Sequence, residues 1–105
     1  MRVVTDADFD TVISGTAPVL VDFRADWCGP CRQLAPMLET LATGWAGRLD
    51  VVQVDVDANP ASTRRYGVTA LPTLILFAGG EPVHRVHGLR SPGALRAELD
   101  PWIPG

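Results

Sequence analysis

The chemistry of this chain is concentrated in Trp27-Cys28-Gly29-Pro30-Cys31, a segment that holds both of its cysteines. The run before them, Pro18 to Phe23, is apolar except for Asp22 and reads as a strand covered on both faces. After them Leu34, Met37, Leu38, Leu41 and Trp45 recur at helical spacing. The cysteines therefore open a helix at the carboxyl end of a buried strand, the edge at which open α/β sheets place their sites. Cys28 lies beside unpaired backbone N–H groups and the positive end of the helix dipole, which favour a thiolate over a thiol. Cys31 lies about one turn deeper on the same side. This asymmetry assigns Cys28 the attack on a substrate disulfide and Cys31 the attack on the resulting mixed disulfide. Pro30 costs little in a first helical turn, and Gly29 and Pro30 leave no side chain to crowd an approaching disulfide.

Two other uses of the pair fit less well. A ring this small barely constrains the unfolded chain, so a purely structural bridge would stabilise weakly. A metal site needs two more ligands, and His84 and His87 are the only histidines. Three apart on a strand, they point to opposite faces, and their distance from Cys31 far exceeds finger-like spacings. Neither a metal nor a cofactor is expected. Asp22 is the one carboxylate in the apolar strand. If buried, it has a raised pKa in the range useful for moving protons to and from Cys31; the alternative is a partly exposed strand-end aspartate.

The elements that position these residues are legible from periodicity. Val3 and Val4 form a short first strand, and Thr5 is placed to cap a helix carrying Phe9, Val12 and Ile13. Val52, Val54 and Val56 alternate with polar residues as a strand, and Asn59-Pro60 supplies a cap and first residue for a short helix ended by Gly67. Thr73 to Phe77, Gly79-Gly80 and Val83 to Val86 read as a hairpin. Ser91-Pro92 starts a last helix with Leu95, Leu99 and Trp102 on one face. The order β-α-β-α-β-α-β-β-α implies an α/β fold, a central mixed β-sheet flanked by helices, in one domain spanning residues 1–105.

The 105 residues, 47% hydrophobic and 20% charged, suit one globular domain that forms a core without staples. The net charge is -3, and all the basic residues are scattered arginines, which argues against a nucleic-acid partner. No apolar run is long enough to span a bilayer, and the first residues turn acidic before a signal-peptide core develops, so a cytoplasmic monomer is expected.

With these residues in hand, the sequence resembles the thioredoxin family over nearly its whole length. The matching stretches are Val21-Asp22-Phe23, Trp27-Cys28-Gly29-Pro30-Cys31, Ala35-Pro36, Val54-Asp55-Val56-Asp57, Asn59-Pro60, Tyr66-Gly67-Val68, Leu71-Pro72-Thr73-Leu74 and Gly80-Glu81. The resemblance implies the thioredoxin fold and a cytosolic dithiol that reduces disulfides in client proteins and is recharged by a thioredoxin reductase. It also implies a cis Pro72 packed against the cysteines, with Thr73 following it. Asp22 becomes the buried acid-base residue, Trp27 the aromatic flank of the site, and Gly88 the glycine that keeps the substrate groove open.

Three positions depart from the family pattern. Arg24 stands where an aromatic is usual, Gln53 where many relatives carry a lysine near the buried aspartate, and His87 where a small apolar residue is usual. Without a lysine at position 53, Asp22 is expected to hold its proton more tightly. Two further readings keep the fold but change the role. One is a thioredoxin-fold binding module that docks a partner, with incidental thiols. The other is an oxidant or isomerase in an oxidising compartment. Intact cysteines argue against the first, the absence of an export signal and the Gly29-Pro30 pair against the second.

Overall fold

A computed structural model describes all residues, 1–105. Five strands form one sheet in the order β1 (Arg2–Val3), β3 (Asp50–Asp55), β2 (Val19–Arg24), β4 (Thr73–Ala78), β5 (Glu81–His87). The first three are parallel; β4 runs antiparallel to β2, and β5, antiparallel to β4, again runs in the direction of the first three. β2, buried along almost its whole length, lies in the middle because both of its faces need cover.

The alternation of β2 splits the core. Val19, Val21 and Phe23 face one side with Val52, Val54, Ile75 and Phe77, against Phe9 and Ile13 of α1 (Phe9–Ile13). Tyr66, which follows α3 (Pro60–Arg65), closes this side; its ring meets Phe77 edge-on at 5.0 Å. Leu20 faces the other side with Val51, Leu74, Leu76 and Val86. There the cover is α2 (Gly29–Gly44), through Leu34, Leu38 and Leu41, and α4 (Pro92–Leu99), through Leu95 and Leu99. Each such side chain contributes roughly 1.5–3 kcal/mol on burial, so this packing fixes how α2 sits on the sheet. The hairpin between β4 and β5 turns on Gly79 and Gly80, at φ +60° and +81°, as a two-residue turn matching strand twist requires.

Two caps differ from the sequence reading. Thr5 does not cap α1. Its N–H and hydroxyl both donate to the Asp8 carboxylate, at 2.7 and 3.1 Å, while the Asp8 N–H donates to the Thr5 carbonyl, and the helix starts only at Phe9. Asn59 and Pro60 do stand at the start of α3, but the Asn59 amide donates to the Asp55 carbonyl and accepts the Asp6 N–H. The first-turn donors of α3 go to Asp6, whose two carboxylate oxygens accept Ala61 N–H at 3.0 Å and Ser62 N–H at 2.8 Å. After α4 the chain tightens into a 3-10 turn, Asp100–Trp102, which leaves Trp102 at the surface beside His84.

Candidate functional site: a dithiol at a helix start

Cys28 is the N-cap of α2, in extended backbone at φ -87° and ψ 110°, and Pro30 occupies the first turn. Cys28 and Cys31 are joined as a disulfide, with their Cα atoms 5.3 Å apart. The Cys28 sulfur accepts the Cys31 N–H at 3.2 Å, so sulfur takes the place a hydroxyl or carboxylate usually holds at a helix start. The lead-in is tight: Cys28 N–H bonds to the Ala25 carbonyl, and Arg32 N–H to the Cys28 carbonyl, each at 3.2 Å. Cys31 is fully buried and Cys28 almost so, packed with Ala25 against Val56 and Leu71.

Leu71 connects this cluster to the next loop, where the Leu71–Pro72 peptide is cis, as the family resemblance implies. The Pro72 carbonyl accepts the N–H of Gly88, which has φ +77°, a conformation that disfavours any side chain. Thr73 is buried on the sheet face away from α2, and its hydroxyl donates to the Ala70 carbonyl at 2.7 Å. Its proton being committed there, the hydroxyl accepts from the Nδ1 of exposed His87, 3.3 Å away. Thr73 therefore braces the loop, while its side chain stays away from the sulfurs. His84, on the opposite face of β5, pairs with Glu98.

Asp22 occupies the sheet face covered by α2, two residues beyond Leu20 toward the carboxyl end of β2. Its neighbours in register are Gln53 and Leu74. Along α2, Cys31 stands one turn before Leu34, so the carboxylate and the inner sulfur share the upper level of the same interface. Asp22 is completely buried and neither of its oxygens has a hydrogen-bond partner. Burial pushes its pKa up to about 7, against a smaller downward pull from the Arg24 guanidinium.

The outer rim is polar and open. Trp27 is 68% exposed, and its indole N–H donates to Asp57 at 2.8 Å. Asp26 gathers two cations: Arg24 on its carboxylate at 2.8 Å and Arg32 on its carbonyl at 2.7 Å. Sequence reasoning missed Asp57 and Asp26, whose partners are fixed by loop geometry that no local spacing signals. A hollow of about 710 Å³, bordered by Arg2, Glu39 and Asp50, lies at the opposite end of the strands.

Comparison with known proteins agrees with this geometry. The family model described as Thioredoxin matches residues 1–101. A thioredoxin of Mycobacterium tuberculosis is 51% identical over 102 residues, covering 96% of this chain and 88% of that protein. A thioredoxin of Alicyclobacillus acidocaldarius is 48% identical over 96 residues, 91% of each chain. A bifunctional thioredoxin reductase/thioredoxin of Mycobacterium leprae is 47% identical over 102 residues, 96% of this chain and 22% of that protein. Likeness of this extent, running through both cysteines and the strand and helix that hold them, settles the family: the chain belongs to the thioredoxins, which are thiol-disulfide oxidoreductases.

Proposed function

We propose that this protein is a cytoplasmic, monomeric, single-domain reductant of protein disulfides in which Cys28 attacks and Cys31 resolves. The observation that carries the reading is the bonded Cys28–Cys31 pair at the start of α2, above an aspartate with no hydrogen-bond partner. In the reduced protein the Cys28 thiolate, favoured by the helix terminus, attacks one sulfur of a client disulfide. A bond forms between Cys28 and that sulfur, and the other client sulfur leaves as a thiolate. The Cys31 thiol passes its proton to Asp22 and attacks the Cys28 sulfur. The Cys28–Cys31 disulfide forms, the second client sulfur leaves, and two electrons have passed to the client.

An acid with a pKa near 7 suits this transfer, since it takes and returns a proton without a large penalty near neutral pH. Trp27, Gly29 and Pro30 form one bank of the client groove in this reading, and the backbone around Pro72, Thr73 and Gly88 the other. No helix is long and apolar enough to cross a membrane. A thioredoxin reductase is the proposed electron donor; its pairing with a thioredoxin in one Mycobacterium leprae polypeptide supports that choice.

Trapping tests the roles. Cys31→Ser should leave Cys28 joined to client proteins as stable mixed disulfides, visible on non-reducing gels, whereas Cys28→Ser should trap almost nothing. Equal trapping by both variants refutes the assignment. A docking role that survives loss of both cysteines would favour the binding-module reading.

A further inference from the structure

Arg24 ends β2 two residues after Asp22, so the two side chains leave the strand from the same face, about 6–7 Å apart at their bases. Its side chain is only 18% exposed, unusual for an arginine, and its guanidinium is anchored on the carboxylate of Asp26. Asp26 itself is 88% exposed, so water screens its charge far more than it screens the covered guanidinium. The positive charge is therefore felt inward more strongly than its ion pair suggests.

The other groups around Asp22 leave it little company. From β3 comes neutral Gln53, with Asp55 beyond it opposite Arg24; from β4 comes Leu74. α2, the helix over this face, brings the buried Cys31 at its start, while its Arg32 is turned outward to the Asp26 carbonyl. Asp57 lies at the rim, bonded to Trp27. Arg24 is the one cation on the face that Asp22 occupies.

We propose that Arg24 is a positioning residue for proton transfer, its anchored guanidinium setting how tightly Asp22 holds a proton. The downward pull of Arg24 on the Asp22 carboxyl agrees with this placement. The consequence for catalysis rests on the role given to Asp22 above: with the cation present, Asp22 is more often ready to accept the Cys31 proton.

The test is a carboxyl ¹³C NMR titration of the reduced, full-length protein and two variants. Arg24→Gln, which removes the charge, should raise the Asp22 midpoint by roughly half to one pH unit. Arg24→Lys, which keeps it, should hold the midpoint within about 0.3 unit of the parent. An unchanged or lowered midpoint in Arg24→Gln overturns the proposal, as does an equal rise in Arg24→Lys, which would point to shape and not charge. The pH profile of client reduction, measured on the same proteins, should move with the midpoint. If the midpoint moves and the profile does not, the charge coupling stands and the proton-carrier role of Asp22 falls.

Discussion

The helices α2 and α3 begin alike and are finished differently. Each has a proline in its first turn and a side chain that accepts its exposed N–H groups. At α3 the acceptor is the carboxylate of Asp6, brought from 55 and 56 residues away to Ala61 and Ser62. At α2 it is the sulfur of Cys28, and the buried aspartate on the sheet face that this helix covers, Asp22, receives no donor at all. Hydrogen bonding from Ser62, side chain first and backbone second, holds the Asp6 carboxyl below its ordinary pKa. Burial drives Asp22 the other way. One residue type is thereby favoured as an anion in one region and pushed toward its neutral form in the other, and what decides is whether donors reach the carboxylate or burial leaves it without them.

The largest expected effect comes from exchanging the acceptor at α2. Cys28→Ser puts a good capping hydroxyl where sulfur stands, so α2 should keep its start and the reduced protein its Tm within a few degrees. Reduction of a protein disulfide, followed by precipitation of insulin chains, should fall to the uncatalysed background, because a serine hydroxyl does not form the thiolate. If this variant unfolds, the sulfur is a structural cap first and a nucleophile second.

Next in size is the cost of leaving Asp22 without donors. The unfolded chain releases this proton near pH 3.8 and the folded chain near 7, so between those values the folded form binds more protons. Stability therefore falls as pH rises through that window, by an amount on the order of 4 kcal/mol that stands in full above it. Asp22→Asn cannot ionise. Urea titrations should find it more stable than the parent by that order at pH 8–9 and nearly equal at pH 4. The same substitution should slow client reduction at neutral pH. A stability difference independent of pH would show that the Asp22 carboxyl is not held neutral by burial.

These two regions were unequally legible in the sequence. The dithiol announced itself because cysteine chemistry, strand and helix periodicity are all local, and the apolar run around Asp22 foretold its burial. That neither oxygen would find a partner depends on Gln53 and Leu74 being its neighbours, which only sheet register determines. Asn59-Pro60 marks the start of α3 and Asn59 is its N-cap residue, but the side chain that accepts the first-turn donors is that of Asp6. Asp6 is far away in sequence, and Asn59 was already engaged in holding the Asp6 N–H and the Asp55 carbonyl. Local spacing identifies where a helix needs acceptors; tertiary structure chooses which one arrives.

Asp6→Ala gives the smallest effect and the sharpest contrast. It removes the acceptor from Ala61 and Ser62 without touching the dithiol, so α3 should fray and Tm should drop by a few degrees, while client reduction below that temperature stays at the parent rate. The sign with pH is opposite to that of Asp22. Because the folded-state pKa of Asp6 is lowered, its contribution is present above the ordinary value of 3.8 and is lost as pH falls through the lowered one. The gap between parent and Asp6→Ala should therefore hold steady from pH 8 to about 5 and close in acid. A gap that stays open at pH 2 would mean that Asp6 supports α3 through packing, and that the two helix starts differ in more than the atom that caps them.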